Sequence, residues 1–394
     1  MIKKITIENF KILLKNEFEL KKLNILTGIN GMGKSSLVQS LLLLRQSYIN
    51  DKISELKIKG EYTDLGAAKD VLSIDKDIID NPIFFGIEFD NNQSAEYYFD
   101  LLTSSDNDDE ERDNYSKAEF LRLNARSKIN HDYKQSLFLR DNYFHYLNSD
   151  RIGPKVTSDV SSIVTKNKEM GIHGEYSINF LDTYKSEPVN NKYVLHPKTD
   201  PGKTTLEHQI SYWLNDLLPG TRIQTYNMPE IKKVRATYSI NGNEYKPINV
   251  GFGLTFVLPI IIALLTIKEG GTVIIENPES HLHPRGQARM ADLITRCAAS
   301  GRQVFVETHS DHIINGLMVS AYEYYKSNKA GDIDIQDTAK ILNEDVAIYY
   351  FSRKEGNNFS DVDRINLTKN GFVEGNIPPG FFDQFNIDMD RLLT

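Results

Sequence analysis

The sequence has almost no cysteine and no excess of positive charge. Cys297 is the only cysteine among 394 residues, which excludes an intramolecular disulfide and a zinc site built on a CxxC pair. A reducing compartment, the cytosol, fits this usage best. The net charge of −8 argues against a generally basic nucleic-acid-binding protein, although it is compatible with a local basic groove.

Long hydrophobic runs, internal repeats and heptads are scarce as well. Only Val250 to Ile267 approaches the length of a membrane span. Because it contains Gly251, Gly253 and Pro259, we interpret it as a loop followed by a buried helix, and we predict no membrane partner. Residues 1–8 alternate as a strand does and do not have the pattern of a signal peptide. Without a long heptad run, coiled-coil arms are not expected.

What the sequence does contain is a phosphate-loop pattern near its start. Gly28 to Ser35 reads GINGMGKS and fits G-x-x-x-x-G-K-[ST] at every fixed position. The glycines let the backbone turn so that amide N–H groups point at phosphate oxygens, and the dipole of the next helix favours an anion. Lys34 would reach the β- and γ-phosphates, and the Ser35 hydroxyl would bind Mg²⁺.

The flanking sequence has the order strand, loop, helix that this motif requires. We predict a buried strand at 23–26 and a helix at 35–48. Further apolar strands are predicted at 272–276 and 303–307, each ending in an acid. Strands that alternate with helices indicate an α/β fold with a mainly parallel sheet, and ligands bind at the carboxyl ends of such strands.

Other elements follow from composition and turn residues. Residues 155–205 are predicted to be loop-like, and residues 221–249 a hairpin that turns at Asn241-Gly242. A turn is expected at Asn370-Gly371, and a polar tail is expected after Phe382. The remaining predicted elements are edge strands within 1–26, strands at 83–89, 95–101, 143–147, 346–352 and 362–367, and helices at 206–217 and 285–299.

Several residues have two plausible roles. The acidic stretch 104–113 is typical of a solvated loop rather than a metal cluster. Arg151 suits a phosphate or interface contact as well as a structural ion pair. His281 and His283 could form a metal pair, but without a third ligand we favour a dimer contact or loop packing. Glu307 suits a supporting role beside the site or an acid at the edge of the core.

The phosphate loop and four further stretches resemble the ABC-type ATPase superfamily in its RecF, SMC and OLD branch. Residues 272–276 look like the Walker B strand, 277–284 like the block E-[NQ]-P-E-x-H-L-H-P, and 308–310 like the switch-histidine loop. Residues 251–255 resemble the signature motif more loosely. All these stretches, together with residues 372–382, resemble a bacterial family of AAA/ABC-like ATPases with a small C-terminal domain of unknown function. Members of this family are often found in anti-phage defence.

The resemblance implies a P-loop NTPase fold of the ABC-ATPase head type, with a mainly parallel sheet, helices and an antiparallel edge sheet. The head would span 1–340, interrupted by an inserted lobe at about 50–245. A small C-terminal α+β element would span 341–394. OLD relatives carry a Toprim nuclease domain of over a hundred residues; the roughly eighty residues after Asp311 are too few, so no built-in nuclease is expected.

The resemblance also assigns roles to single residues. Glu276 would hold Mg²⁺ together with Ser35, and His309 would contact the γ-phosphate or orient water. Signature residues would bind ATP held by a second subunit, so that a head-to-tail homodimer, or a higher even oligomer, closes around two ATP molecules. The ATP-phosphate ligands are expected to be Asn30, Gly31, Met32, Gly33, Lys34, Ser35 and Ser36, and the signature residues Gly251, Gly253 and Thr255.

One position departs from the pattern. Most ABC enzymes have an acid after the Walker B aspartate, but here Asn277 follows Glu276. An asparagine can orient a water molecule but cannot accept its proton. Phosphoryl transfer depends largely on positioning and charge stabilisation, so weak or partner-stimulated ATPase activity is expected. Glu279 and the γ-phosphate itself are the candidate bases.

The sequence therefore favours an ATP- and Mg²⁺-dependent ATPase that controls a separately encoded effector, a nuclease or another toxin. Two alternatives stay open: an ATP-dependent DNA clamp, which would bind DNA in a salt-dependent manner, and an ATP sensor that does not hydrolyse. A transporter subunit and a small-molecule kinase explain fewer motifs. The first lacks a membrane-partner signal, and the second leaves His309 without a role.

Overall fold

The computed structural model describes residues 1–48, 53–73, 81–100, 117–129, 139–140, 142–330, 339–375 and 377–393. The acidic stretch 104–113 lies outside these residues. The chain forms two compact units. The first contains Met1–Lys21, Leu26–Leu139 and Ala347–Arg364, and the second contains Lys22–Ile25, Arg140–Val346 and Ile365–Thr394.

The first unit contains a seven-stranded antiparallel sheet. Its order is β2-β1-β5-β6-β7-β4, with β8 paired to β6. In β1, Ile5 and Ile7 are fully buried while Lys4, Thr6 and Glu8 are only partly buried, as expected when one face of a sheet packs on the core. The strands are β1 Ile2–Phe10, β2 Leu13–Glu19, β4 Glu55–Lys57, β5 Ile83–Phe89, β6 Ser94–Asp100, β7 Phe120–Leu123 and β8 Lys128–Ile129.

The phosphate-loop pattern has the predicted setting. Strand β3 (Leu23–Gly28) is buried over its first five residues, and α1 (Lys34–Ser47) begins directly after the loop. The leucines of α1 are buried on every side, so its stability comes from packing. Strand β16 (Val346–Ser352) pairs with β3, and β17 (Asp361–Ile365) pairs with the other edge of β16. The short helix α2 spans Ala68–Val71.

The second unit contains the parallel strands predicted from the sequence. Strand β14 (Thr272–Glu276) pairs in parallel with β15 (Gln303–Glu307) on one side and with β9 (Phe144–Leu147) on the other. The first residues of β3 continue this sheet beside β15, where Lys22 O accepts a hydrogen bond from Val304 N at 2.7 Å. Helices α7 (Pro284–Ala299) and α8 (Asp311–Ala330) follow β14 and β15.

The apolar run before β14 is a buried helix, as predicted. Helix α6 spans Phe252–Thr266, and most of its residues are buried. A helix of 15 residues is about 22 Å long at 1.5 Å per residue, which is shorter than the apolar thickness of a bilayer. Among the described residues, no helix is both long and apolar enough to span a membrane.

The prediction that residues 155–205 are loop-like was only partly right. This stretch contains β10 (Thr157–Asp159), α3 (Ser162–Asn167) and α4 (Ser177–Tyr184). The polar composition hid them because these elements are short. In α4, tertiary packing of side chains such as Phe180 and Leu181 stabilises the helix.

The hairpin prediction was only partly right. Strands β11 (Thr221–Met228) and β12 (Lys233–Ile240) pair along their full length, but they turn at Pro229–Ile231. The Asn241-Gly242 turn instead joins β12 to the short β13 (Asn243–Tyr245). Helix α5 (Leu206–Leu217), predicted with Trp213 inside, precedes them, and Trp213 is fully buried.

The C-terminal part contains one element that the sequence did not predict. After β17, an isolated antiparallel bridge joins Leu367 to Val373. The expected polar tail forms helix α9 (Gln384–Leu393), whose Leu392 and Leu393 are each 80% exposed. The alternation of acids with single apolar residues concealed a helical period here.

Candidate functional site

The phosphate loop is shaped by three glycines with positive φ. Gly28, Gly31 and Gly33 have φ of 126°, 74° and 99°, values that favour glycine. A Cβ on Gly28 would lie 2.1 Å from Phe351 O, so the end of β3 also needs glycine for space. The backbone is therefore fixed in the loop conformation that binds anions.

Lys34 closes this loop from inside. Its side chain is buried, and Nζ donates hydrogen bonds to Gly28 O and Ile29 O, both at 2.9 Å. Ser360 Oγ donates to Met32 O at 2.6 Å and holds the tip of the loop. Helix α1 has no acidic residue in its first turn, so no carboxylate competes with an anion at its N-terminus.

The predicted phosphate ligands differ in their exposure to solvent. Asn30 and Gly31 are exposed, Met32 and Ser35 are partly exposed, and Ser36 is buried. Ser36 N donates to Gly33 O at 3.0 Å, which starts the helical hydrogen bonding of α1. The loop thus presents backbone groups and the Ser35 region outward while its helix is anchored in the core.

In the second unit, Glu276 ends β14 with its carboxylate already oriented. Tyr146 Oη donates to one carboxylate oxygen at 2.8 Å, and Ser149 N donates to the other at 3.0 Å. Burial and the nearby Glu276 raise the pKa of Tyr146, so it stays a donor. A carboxylate accepts about four hydrogen bonds, so each oxygen of Glu276 keeps capacity for a cation or its water. The residues therefore fit a magnesium ligand.

Arg151 has a role that differs from both predicted ones. It is buried, and its guanidinium donates to Asn148 O at 2.8 Å, Glu276 O at 2.6 Å and Asn277 O at 2.7 Å. Burial lowers its pKa to about 10. Within the described parts of the chain it makes no ion pair, so its structural role is to join the loop after β9 to the turn after β14.

Asn277, the residue in place of the usual acid, lies in a constrained turn. Its φ is 46°, and its N–H donates to Glu307 O at 2.8 Å. The side-chain oxygen Oδ1 is buried and accepts no hydrogen bond from a described residue. Such an unsatisfied acceptor is costly, so the amide is a candidate for holding a hydrogen-bond donor during function.

Glu279 connects this turn to the switch loop. One carboxylate oxygen accepts from Thr308 Oγ1 and the other from His309 N, both at 2.8 Å. Ser310 N donates to Thr308 Oγ1 at 3.0 Å, and Ser310 Oγ donates to Gln287 Oε1 at 2.6 Å. The main chain around His309 is therefore held in place, while the His309 residue is exposed.

The loosely matched signature stretch begins α6. Gly251 precedes the helix and is exposed, and Thr255 Oγ1 donates to Phe252 O at 3.0 Å. A Cβ on Gly253 would lie 2.8 Å from His281 O. Gly253 therefore allows the helix to approach the loop after β14.

An aromatic cluster fixes this approach. The ring centroids of Phe252 and Phe256 lie 5.7 and 4.6 Å from that of His281, and the Arg151 guanidinium lies 5.6 Å from the Phe256 ring centroid. His281 thus contributes to loop packing, whereas His283 Nδ1 accepts from Arg285 N at the start of α7. Within the described residues, no group of three or more His, Cys, Asp or Glu side chains could hold a metal ion.

Sequence reasoning missed Tyr146 and Ser149 and did not identify the role of Arg151. All three lie at or just after β9, which we did predict as a strand. The parallel pairing of β9 with β14 brings the ends of both strands to one edge of the sheet, a signal that was present in principle.

Two protein-family models match this chain. A family model described as "AAA domain, putative AbiEii toxin, Type IV TA system" matches residues 23–315. A second, described as a protein of unknown function (DUF3696), matches residues 341–392. A search among curated proteins found no match.

Several similar solved structures are heads of SMC proteins. The Smc head bound to the C-winged helix domain of ScpA is 14% identical, with a TM-score of 0.51, covering 93% of this chain and 98% of that one. An SMC head domain from Thermotoga maritima is 12% identical, with a TM-score of 0.42 and coverages of 93% and 99%. The first likeness confirms the predicted fold class, a P-loop ATPase of the SMC-head type.

Proposed function

The chain belongs to the AAA-domain family of the AbiEii type, and we propose on this premise that it binds ATP with Mg²⁺ and hydrolyses it slowly. The family match confirms the predicted resemblance, and with the fold it makes the chain an ATPase of the AAA and SMC-head type. The phosphate loop carries the proposal. Its positive-φ glycines, buried Lys34 and acid-free helix start suit the phosphates of a nucleotide.

Each functional residue has a part in this proposal. The backbone from Asn30 to Ser36 and Lys34 bind phosphate oxygens, and Ser35 and Glu276 hold Mg²⁺, which supplies charge neutralisation when bound. His309 contacts the γ-phosphate or orients the attacking water. Gly251, Gly253 and Thr255 of a second copy complete the site.

Slow hydrolysis follows from Asn277. Its amide orients water but takes no proton, and Glu279 is already bonded through both carboxylate oxygens to the switch loop. We propose that Glu279 chiefly positions His309; its service as a base stays a prediction. The same observations favour one alternative, an ATP sensor that binds without turnover.

Control of a separate effector is the remaining part of the proposal. Dimerisation driven by ATP would present a surface to a nuclease or other toxin encoded elsewhere, in bacterial anti-phage defence. In the similar Smc head, a separate protein, the C-winged helix domain of ScpA, is bound. The proposed division is a head at 1–340 with a lobe at about 50–245 and a C-terminal domain at 341–394, and the match of residues 341–392 supports the last part.

The test is a gain of function at Asn277. We expect Asn277→Glu, which supplies the missing base, to raise ATP turnover roughly tenfold or more, since general-base catalysis contributes about 10²–10⁴. Asn241→Glu is the matched control, because Asn241 has a similar φ of 50° in an exposed turn. Rapid turnover of the unsubstituted protein would contradict the proposal. ATP binding with no turnover in either protein would favour the sensor.

A further inference from the structure

A cavity of about 330 Å³ lies in the second unit at the amino-terminal ends of β9 and β14. Its walls include Asn142, His145, Phe180, Leu265, Lys268 and Arg302, and we call it the β9–α6 cavity. Glu276 and Asn148 lie at the opposite, carboxyl ends of the same strands, so this cavity is separate from the proposed ATP site. Its volume reaches the range of small-molecule sites, roughly 300–1,000 Å³.

One wall of the cavity carries positive charge. Arg302 is 9% exposed; its Nε donates to Ile267 O at 3.3 Å and its Nη1 donates to Ser300 O. No carboxylate forms an ion pair with it in the described part of the chain. Burial lowers its pKa, and Glu269 acts on it only from a distance. A buried cation without a paired anion is costly, so a ligand anion would be favoured here.

The entrance adds further charge. Lys268 is exposed, with Nζ 4.9 Å from the ring centroid of Tyr143. Lys168 and Glu187 also line the cavity, and they form an ion pair with 3.3 Å between Nζ and Oε2. Since that pair is internally neutral, Arg302 and Lys268 outweigh the remaining carboxylate, Glu269.

The other wall is apolar and aromatic. Phe180 and Leu265 are almost fully buried, and the Phe180 ring lies 4.8 Å from the Tyr184 ring. The Asn142 side chain also lines the cavity, and its Oδ1 is buried without a donor among the described residues. The walls thus combine a flat apolar surface, a hydrogen-bond acceptor and a cation.

We propose that the β9–α6 cavity binds a nucleoside monophosphate, with the base against Phe180 and Leu265 and the phosphate near Arg302 and Lys268. N–H groups of the base, the ring N–H of guanine or uracil and the exocyclic amino group of adenine or cytosine, would donate to Asn142. Strand β9 leads from this cavity to Tyr146 and Ser149, and α6 runs from the signature stretch to the cavity wall. Binding should therefore alter ATP turnover, an effect that rests on the proposed function, whereas the binding itself does not.

Calorimetric titration tests the site on the full chain carrying Lys34→Ala, which removes the phosphate loop as a competing site. The probes are AMP, GMP, CMP and UMP. We expect 1:1 binding of one or more, weakened about tenfold or more by Lys268→Glu and by Asn142→Leu, where tenfold corresponds to about 1.4 kcal/mol. Lys268 is exposed, so its variant should fold normally.

Lys192→Glu is the matched control, since exposed Lys192 also lies over a tyrosine ring, at 5.2 Å, outside the cavity. It should leave the affinity within about twofold. No binding of any of the four nucleotides at millimolar concentration would overturn the proposal, as would affinities unchanged by both cavity variants. Equal binding of the matching nucleoside would overturn the role given to Arg302 and Lys268. A lack of ATP turnover in the unsubstituted protein would affect only the proposed function.

Discussion

The phosphate loop and the region around Glu276 are built in different ways. The loop is one contiguous stretch whose shape comes from glycine φ angles and the start of α1. The Glu276 region is assembled from four separate segments, at 146–151, 276–279, 308–310 and the start of α6. Side chains that donate to or accept from distant main-chain groups hold it together.

This difference predicts different responses to substitution. In the loop, a change at Lys34 should remove a proposed contact to phosphate and cost little stability, because one of the two carbonyls that Lys34 binds belongs to the exposed Ile29. The loop glycines are the exception. In the Glu276 region, a single side chain such as Arg151 serves three main-chain carbonyls in two segments. Loss of this side chain should therefore lower both the unfolding free energy and the ATP turnover, because unsatisfied buried groups are costly.

The largest effect is expected at Lys34. Lys34→Ala removes the cation inside the loop and should lower ATP turnover roughly 100-fold or more, the scale for losing one transition-state donor, while the unfolding midpoint changes little. Steady-state phosphate release and thermal unfolding measure the two quantities. Lys59→Ala, at an exposed lysine of the same unit, should change neither; a large drop in stability with Lys34→Ala would contradict the contrast between the regions.

Arg151 should show the opposite pattern. Arg151→Met leaves Asn148 O and Glu276 O without this donor, whereas Asn277 O keeps a hydrogen bond from Ser280 N at 3.1 Å. At about 1–3 kcal/mol for each of the two unsatisfied groups, we expect a loss of about 4 kcal/mol in unfolding free energy. Turnover should fall as well, with a larger change in kcat than in KM. Arg289→Met, at an exposed position of α7, is the control. An unfolding midpoint unchanged by Arg151→Met would show that the carbonyls have other donors.

A pair of glycine substitutions sharpens the description of the loop. Gly28→Ala places Cβ 2.1 Å from Phe351 O, whereas Gly31→Ala meets nothing within 4 Å. Both have positive φ, which costs about 1–2 kcal/mol for a residue other than glycine. Gly28→Ala should cost about 3 kcal/mol in total, since overpacking adds about 1–3 kcal/mol. Equal unfolding midpoints for the two variants would contradict the close approach of β3 and β16.

The smallest effect is expected at Glu279. Glu279→Gln keeps an oxygen for His309 N, and the Thr308 hydroxyl can turn to accept from the new amide. Turnover should therefore fall only a few-fold, as expected for one altered hydrogen bond of about 1 kcal/mol. A loss of 100-fold or more, the scale of general-base catalysis, would instead make Glu279 the base.

The same contrast explains what the sequence could predict. Gly28 to Ser35 is defined by local spacing, and β3, α1, β14 and β15 have clear apolar patterns, so the loop and the parallel sheet were predicted with nearly correct bounds. Glu276, Glu279 and His309 were predicted as site residues because they lie at or just after the ends of buried strands. Their partners were not, because Tyr146 and Ser149 reach Glu276 across 130 and 127 residues of chain.

The missed elements share a different physical cause. Helices α3 and α4 have 6 and 8 residues, too few for a reliable period, and they are stabilised by tertiary packing rather than by propensity. The hairpin was placed one turn too late because Asn-Gly is the stronger local signal, while the longer turn at Pro229–Ile231 uses a 3₁₀ segment instead.

The central claim is that two copies, each contributing half of a site, close around ATP. Sedimentation velocity of the unsubstituted protein with ATP and Mg²⁺ tests it most directly. Sedimentation should shift from the 45.0 kDa chain to a dimer only when both are present. Gly251→Asp should prevent the shift while a Lys59→Ala control keeps it, because Gly251 is exposed just before α6 and a Cβ there meets nothing within 4 Å. A protein that stays monomeric with ATP and Mg²⁺ at every concentration would contradict the claim.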